Sequence, residues 1–138
     1  MRDMAALDTN VLVRFLVQDD AAQLAATKKL FRRCVDADES LFVPVTVTLE
    51  LESVLRSALG FDKTTVMQTL AGLLSTFELR FEAEGAIEAA LLSYGDGVAD
   101  FSDCLHAALA GMAGEVPLWT FDKAASKVSG ARLLTIGQ

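Results

Sequence analysis

The sequence has few of the residues on which covalent cross-links and nucleophilic catalysis depend. It contains two cysteines, Cys34 and Cys104, without CxxC spacing, and one histidine, His106. This argues against a disulfide framework or a cysteine-based zinc site, and both cysteines are predicted to be reduced, buried and small hydrophobic residues. A Ser/His/Asp triad would have to use His106, but no GxSxG motif accompanies it, so a packing or surface role is favoured.

Long apolar runs are also missing. The chain starts Met1-Arg2-Asp3-Met4, and the small or apolar stretch that follows is too short for the hydrophobic region of a signal peptide. The longest nearly uncharged stretch, 104–114, includes a histidine and two glycines and is well below the roughly 20 apolar residues that span a bilayer. We therefore expect a soluble, cytoplasmic protein.

Positive charge is scarce. Twelve Lys and Arg residues stand against 19 Asp and Glu residues, which gives a formal net charge of −7. Because phosphate binding is driven by Lys and Arg, this balance argues against a nucleic-acid partner. The objection is met only if many of the acids converge on one metal site, where bound cations reverse the local sign and let a phosphate approach.

The chain does have enough apolar residues for a core, at 52% of 138 residues. No repeat, low-complexity tract or linker divides it, so a single domain over residues 1–138 is predicted. Short apolar runs alternate with segments of helical periodicity, which is typical of a parallel sheet flanked by helices on both faces. The predicted fold is therefore α/β, with four or five parallel strands.

Strands are predicted at 4–7, 41–45, 77–81, 116–121 and, at the edge of the sheet, 132–136. Helices are predicted from residue 11, from 19–20, from Thr46 or Thr48 to a cap at Gly60, over 62–75, 84–93 and 101–113, and from Asp122. On the second helix, the residues predicted to face inward are Leu24, Leu30, Phe31 and Val35. The same helix carries a basic stripe, Lys28, Lys29, Arg32 and Arg33.

Two aspartates follow apolar strands near opposite ends of the chain. Asp8 and Asp122 each come directly after a predicted strand and before a helix. In a parallel sheet with right-handed crossovers every strand ends at the same edge, and ligands bind there. We therefore expect these two carboxylates to meet, although each alone could be an ordinary helix N-cap.

A third candidate, Glu50, lies on the helix after the second strand. At about 100° per residue, one apolar stripe of this helix comprises Val47, Leu51, Val54, Leu55 and Ala58. Glu50 is predicted at the border of this stripe and Glu52 in solvent. By itself Glu50 could be a boundary residue with a packed stem and a solvated head.

Asp100 and Asp103 lie three positions apart at the start of a helix that continues with almost no polar face. Asp100 is a good N-cap. Asp103 falls in the first turn of a helix predicted to be largely buried, where an ionised carboxylate needs a partner or a metal. The small-residue helix 104–113 also exceeds what the core of one small domain needs, which predicts a homodimer whose interface draws on this helix or a neighbouring apolar helix.

Four carboxylates with few basic residues beside them describe a site for a hard cation. All-oxygen ligation favours magnesium or manganese over zinc. Such a site suits phosphodiester hydrolysis, because the metal orients and deprotonates a water, neutralises the scissile phosphate and stabilises the leaving oxygen. The four acids are Asp8, Glu50, Asp103 and Asp122.

These acids lie in four segments: Leu7-Asp8-Thr9-Asn10-Val11-Leu12-Val13-Arg14, Leu49-Glu50-Leu51 with Val54-Leu55-Arg56, Asp100-Phe101-Ser102-Asp103 with Ala107-Ala108, and Thr120-Phe121-Asp122. In this order they resemble the motifs of PIN-domain ribonucleases, specifically the toxins of VapC-type toxin–antitoxin pairs. Each segment is weak alone, but the order, the strand and helix contexts and the length together are fairly specific. The resemblance spans nearly the whole chain.

The resemblance implies a Rossmann-like PIN domain with endoribonuclease activity on RNA, a magnesium site that manganese can fill, a homodimer, and inhibition by a small antitoxin whose tail occupies the active-site groove. It implies that the catalytic and metal-binding acids are Asp8, Glu50, Asp103 and Asp122, with Asp100 as an extra metal ligand of the toxin branch. The polar residues that would support the acids or a metal-bound water are Asn10 and Thr120.

The chain departs from the family pattern in two places. Glu52-Ser53 stands where members usually carry apolar or aromatic residues, and His106 replaces a common isoleucine, so local packing or dimer contacts are expected to differ. The acidic balance is a weaker objection here, because a groove that receives a basic antitoxin segment gains from negative charge. Candidates for RNA-backbone contacts are Arg14, Arg32, Arg33 and Arg56, together with Lys28 and Lys29.

Two other functional classes compete with a PIN-type ribonuclease. A receiver-like phosphoacceptor module is also a small parallel α/β domain. Modules of that class resemble one another in having an acidic pair after the first strand and a phosphoacceptor Asp after the third. Here Asp8 stands alone and no Asp follows Phe81 directly. An inactive PIN-like scaffold would lack one of the acids, and none is missing.

Overall fold

The computed structural model describes residues 5–137 of the chain. The chain folds as two compact units, unit 1 (Met1–Glu82) and unit 2 (Ala83–Gln138). The organisation as one domain stays a prediction. Within the described residues, no helix is both long and apolar enough to cross a membrane.

Unit 1 contains a three-stranded parallel sheet. Its strands, in spatial order, are β1 (Ala5–Ala6), β2 (Leu41–Val43) and β3 (Leu79–Phe81). In the register, Leu41 lies opposite Ala5 on one side and Leu79 on the other. Leu41 and Val43 are fully buried, as expected for the central strand of a parallel sheet. All three strands are shorter than predicted, and Met4 of the first predicted strand lies outside the described residues.

The helices of unit 1 are α1 (Thr9–Val17), α2 (Ala21–Asp36), α3 (Val45–Ser53) and α4 (Lys63–Leu74). Three of them begin after an aspartate whose carboxylate accepts a backbone N–H of the first turn, and these caps are Asp8, Asp20 and Asp62. The hydrogen bonds from Thr65 also lower the pKa of Asp62 below its usual value. The helix starts predicted near these three aspartates are confirmed.

Helix α2 has a buried face and a basic face. Phe31 is buried and stacks on Phe15 of α1, with ring centroids 4.9 Å apart. The prediction for Val35 was wrong, because the buried stripe follows Thr27, Phe31 and Cys34 and leaves Val35 47% exposed. The basic stripe is exposed as predicted and consists of Lys28, Lys29, Arg32 and Arg33.

The start of α3 differs from the prediction. A cap at Thr46 or Thr48 was expected, but the helix begins at Val45 directly after Pro44, whose fixed φ suits a helix entry. The carboxylate of Glu82 accepts the Val45 N–H at 2.8 Å and takes the place of a local cap.

The end of α3 widens into a π-helical turn, Val54–Ala58. Gly60 then adopts a left-handed φ of +70°, and the Phe61 N–H donates to the Leu55 carbonyl at 2.9 Å. The predicted glycine cap is therefore confirmed. The π turn was not anticipated, and it changes the number of residues per turn, so the faces of this segment do not follow the spacing of an ordinary α-helix.

Unit 2 contains two long helices and a two-stranded parallel sheet. Its elements are α5 (Glu84–Asp96), α6 (Phe101–Met112), β4 (Leu118–Thr120), a 3-10 turn (Ala125–Lys127) and β5 (Ala131–Leu133). Tyr94 at the end of α5 packs edge-on against Phe101 at the start of α6, with ring centroids 5.8 Å apart. This aromatic contact holds the end of α5 against the start of α6.

Helix α6 is buried in its first half only. Cys104, Leu105 and Ala107 are buried, whereas the residues from Ala108 onward are half-buried or exposed and Met112 is 62% exposed. The prediction that this helix is largely buried was therefore wrong for its second half. The homodimer, predicted to use this helix or a neighbouring apolar helix, stays a prediction.

The α/β class and the parallel pairing of the strands are confirmed. The described residues contain all five predicted strands, which pair as a three-stranded and a two-stranded sheet. Cys34 and Cys104 are both buried, as predicted, and burial raises the pKa of the Cys34 thiol. His106 is exposed on α6.

Candidate active site

Asp8 connects β1 to α1, directly after the buried Leu7. Its side chain is exposed, and Oδ1 accepts the backbone N–H of Thr9 at 2.7 Å. The carboxylate therefore caps α1, which is the ordinary explanation considered for this residue. The bond uses one of its two oxygens, so the cap and a ligand can share the same carboxylate.

Glu50 is exposed on α3 and is held by a residue of α1. The hydroxyl of Thr9 donates a hydrogen bond to Glu50 Oε1 across 41 positions of sequence. Thr9 is only 5% exposed, so its hydroxyl is fixed inside unit 1. Sequence reasoning missed this role for Thr9; the signal available was a hydroxyl residue between the first acid and Asn10.

The helical phase predicted for α3 was wrong. Glu50 is exposed, whereas Glu52 is 2% exposed. The buried stripe comprises Thr48, Leu51, Glu52 and Leu55. The predicted stripe included Val54 and Ala58, which belong to the π turn, and it excluded the polar Thr48 and Glu52, so its centre was displaced toward Glu50.

The buried Glu52 forms an ion pair with Arg56. Arg56 Nε donates to Glu52 Oε2 at 2.9 Å, and the Arg56 side chain is 49% exposed. A buried carboxylate needs such a partner. Thr48, one turn before Glu52, is buried, and its hydroxyl has no hydrogen-bond partner among residues 5–137. The guanidinium of Arg56, a predicted RNA contact, is therefore engaged inside unit 1.

In unit 2, three aspartates interact electrostatically. Asp100 is exposed at the N-cap position of α6, and Asp103 is half-buried in its first turn. Burial, and then the negative charges of Asp122 and Asp100, raise the pKa of Asp103 above its usual value, while His106 opposes the shift. The structure thus brings Asp122 and Asp100 within electrostatic reach of Asp103.

Asp122 follows β4 and is fixed at both its backbone and its side chain. Its N–H donates to Thr120 Oγ1 at 3.0 Å, and its Oδ1 accepts the Ala125 N–H at 2.9 Å. Asp122 is exposed. Like Asp8, Asp122 follows a strand and caps the next turn with one carboxylate oxygen. The Thr120 hydroxyl oxygen holds the main chain of Asp122.

The remaining predicted residues lie on α1 and α2. Asn10 is exposed and lines a cavity of about 330 Å³ together with Arg14 and Gln23. Arg14 donates to Asp19 at 2.5 Å and to Gln23 at 2.6 Å, so its guanidinium is oriented along this cavity wall. The arginines of the exposed face of α2 are Arg32 and Arg33.

The acids of both units have the chemistry of ligands for a hard divalent cation. Carboxylate oxygens are what magnesium prefers, and a cation would relieve the repulsion felt by Asp103. Over the described residues, neither unit by itself brings three acidic, histidine or cysteine side chains into a group that could hold a metal. The predicted meeting of Asp8 with Asp122 concerns residues of different units and stays a prediction.

Comparison with known proteins identifies one family. The sequence model of the PIN domain matches residues 5–131, a range that contains every candidate acid. No curated protein matches the chain. PIN domains are generally nucleases that use divalent metal ions, and their Rossmann-like fold is the one predicted. Because the match covers most of the sequence, the chain belongs to the PIN-domain family.

Proposed function

We propose that this protein is a magnesium-dependent endoribonuclease that cleaves phosphodiester bonds of RNA, with manganese able to substitute. The observation that carries the proposal is that burial and the negative charges of Asp122 and Asp100 raise the pKa of Asp103, in a family whose members are generally metal-dependent nucleases. A carboxylate under such repulsion is stabilised by a divalent cation. A scaffold without catalysis has no need for this repulsion.

In this proposal the metal ligands are Asp8, Glu50, Asp103 and Asp122, with Asp100 as an additional ligand. The bound metal would supply a Lewis acid that activates water and neutralises the scissile phosphate. The protein's own contribution is orientation: the cap bond of Asp8 and the hydroxyl bond to Glu50 limit the rotamers of these acids before any ligand arrives. Asn10 and Thr120 act as supporting residues.

The RNA backbone is proposed to contact the exposed basic face of α2. Arg32 and Arg33 are exposed there, beside Lys28 and Lys29. Arg14 would contribute from the cavity beside Asn10, where Asp19 and Gln23 hold its guanidinium. Arg56 is the weakest of the predicted contacts, because Glu52 already engages its guanidinium.

The biological role we propose is that of the toxin in a type II, VapBC-type toxin–antitoxin pair in the cytoplasm. The extra acid Asp100 supports it, as do the motifs in toxin order. The partners are then a cognate antitoxin and a second copy of the chain, for which the exposed half of α6 is the proposed contact. A short basic antitoxin gene beside this one, and a dimer by light scattering, are the results expected.

The activity is tested with purified protein and labelled RNA. We expect cleavage with magnesium or manganese, none in excess EDTA, and loss of cleavage in Asp8→Asn. Asparagine is as good an N-cap as aspartate, so circular dichroism should show a folded variant. Full activity in EDTA would contradict the metal mechanism, and no cleavage with either metal would favour an inactive PIN scaffold.

A further inference from the structure

Thr9 makes two hydrogen bonds, one to each proposed acid of unit 1. Its backbone N–H donates to Asp8 Oδ1 at 2.7 Å, and its hydroxyl donates to Glu50 Oε1. Asp8 and Glu50 are both exposed, whereas Thr9 is 5% exposed. One buried residue therefore connects two exposed carboxylates that belong to different helices.

The chemistry of threonine suits such a connection. A β-branched side chain has few χ1 rotamers, and burial in the first turn of α1 restricts it further. A free glutamate side chain, by contrast, loses up to about 2 kcal/mol of rotamer entropy when a ligand orders it. A fixed hydroxyl bound to Oε1 removes part of that cost in advance and leaves Oε2 available to a cation.

The geometry points to Thr9 as a positioning residue: we propose that it holds Asp8 and Glu50 as one pair of metal ligands. This inference rests on the proposed function and adds a residue that contacts neither the metal nor the RNA. Groups that orient metal ligands typically change metal affinity by about 10- to 100-fold when they are removed. The hydroxyl of Thr9 is expected to act at the lower end of this range, because it holds only Glu50, whereas the backbone N–H of Thr9 holds Asp8.

The test compares four proteins: wild type, Thr9→Val, Thr9→Ser and the control Thr48→Val. Valine keeps the branched shape of Thr9 and its backbone bond to Asp8 but removes the hydroxyl. Serine restores the hydroxyl without the methyl group. Thr48 is an equally buried threonine of unit 1 whose hydroxyl has no partner within the described part of the chain, so Thr48→Val makes the same chemical change without breaking a bond seen there. The measurements are manganese affinity of EDTA-stripped protein by calorimetry and urea unfolding in EDTA.

We expect Thr9→Val to bind manganese about tenfold more weakly than wild type, Thr9→Ser to recover most of the affinity, and Thr48→Val to match wild type. The urea unfolding curve in EDTA gives the folded fraction of each variant without urea, so the affinities are compared between folded proteins. Wild-type affinity in Thr9→Val, equal loss in Thr48→Val, or no recovery in Thr9→Ser would each overturn the positioning role. If wild type itself binds no manganese and cleaves no RNA, the proposed function fails together with the inference.

Discussion

Asp62 in unit 1 and Asp103 in unit 2 have pKa values that are shifted in opposite directions. In unit 1 the hydrogen bonds from Thr65 lower the pKa of Asp62. In unit 2, burial and neighbouring negative charges raise the pKa of Asp103. The fold thus stabilises the charged form of Asp62 and destabilises the charged form of Asp103.

This difference separates orientation from affinity. A carboxylate held by hydrogen bonds is directed but gains little from a cation that it does not already gain from its donors. A carboxylate crowded by like charges gains a great deal when a cation arrives. Asp103 therefore has more binding free energy to gain from a cation than Asp62 has.

The largest effect is expected when a carboxylate charge is removed from α3. Removal at Glu50 should lower cleavage, whereas removal at Glu52 should lower stability. Glu50→Gln keeps an oxygen for the Thr9 hydroxyl but loses the charge, so cleavage should fall by about 100-fold or more with little change in stability. Glu52→Gln removes the charged partner of Arg56 from a buried position, so the unfolding free energy should fall by about 1–3 kcal/mol.

Cleavage rates and urea unfolding of the two variants check this pair. The loss in Glu52→Gln should stay moderate because Arg56 is half-exposed and its guanidinium can turn to water. A stability loss in Glu50→Gln larger than in Glu52→Gln would mean that the two glutamates exchange roles, as the sequence alone suggested.

A smaller effect, of opposite sign in the two units, is expected for the pH dependence of stability in EDTA. Asp103 has a raised pKa in the folded state, so the folded protein binds this proton more tightly than the unfolded chain, whose value is near 3.9. The contribution of Asp103 to stability therefore falls as pH rises from about 4 through its folded-state pKa. Asp103→Asn lacks this loss and should be more stable than wild type at pH 7.5, by less than about 1 kcal/mol, since partly exposed charges interact weakly.

Asp62→Asn is the matched variant in unit 1. The folded-state pKa of Asp62 is lowered, so its contribution to stability is present above the unfolded value and is lost as pH falls through the folded value. Asp62→Asn should therefore be slightly less stable than wild type at neutral pH, and the gap should close in acid. Thermal melts from pH 3 to 7.5 check both variants. A change in stability relative to wild type that has the same sign for Asp103→Asn and Asp62→Asn would contradict the contrast between the units.

The smallest effect is expected at Thr120, which is the closest counterpart of Thr9 in unit 2. Thr120 accepts the main-chain N–H of Asp122 at 3.0 Å but donates to no carboxylate in that bond. Thr120→Val should lower the unfolding free energy by about 0.5 kcal/mol, because water can replace an exposed acceptor. Urea unfolding of Thr120→Val and Thr120→Ser measures this change in unfolding free energy. A tenfold loss of manganese affinity in Thr120→Val would mean that Thr120 and Thr9 have equivalent roles.

The features that sequence predicted well are those decided by local chemistry. Asp20 and Asp62 start their helices because a carboxylate satisfies the first free N–H groups, and Gly60 ends α3 because it tolerates a left-handed φ. The strand-ending positions of Asp8 and Asp122 follow from the same rules.

The features that sequence missed depend on contacts between distant segments. The burial of Glu52 could not be read from periodicity, because a polar residue was not counted in the stripe and the π turn displaced the angles. The role of Thr9 required knowing that α1 and α3 are neighbours, a contact across 41 positions. The cap of α3 required knowing that β3 ends beside its first turn.

That borrowed cap has a consequence for the order of folding. Glu82 extends the ladder of β3 through its N–H, which donates to the Val43 carbonyl at 2.9 Å, and its side chain receives the Val45 N–H from 37 positions away. Helix α1 carries its own cap and can nucleate from nearby residues, whereas the first turn of α3 is complete only after β3 has paired with β2. Long-range closure of this kind is slow compared with local helix formation. A nascent chain still short of residue 82 would therefore present Asp8 long before it could present Glu50 on a finished helix.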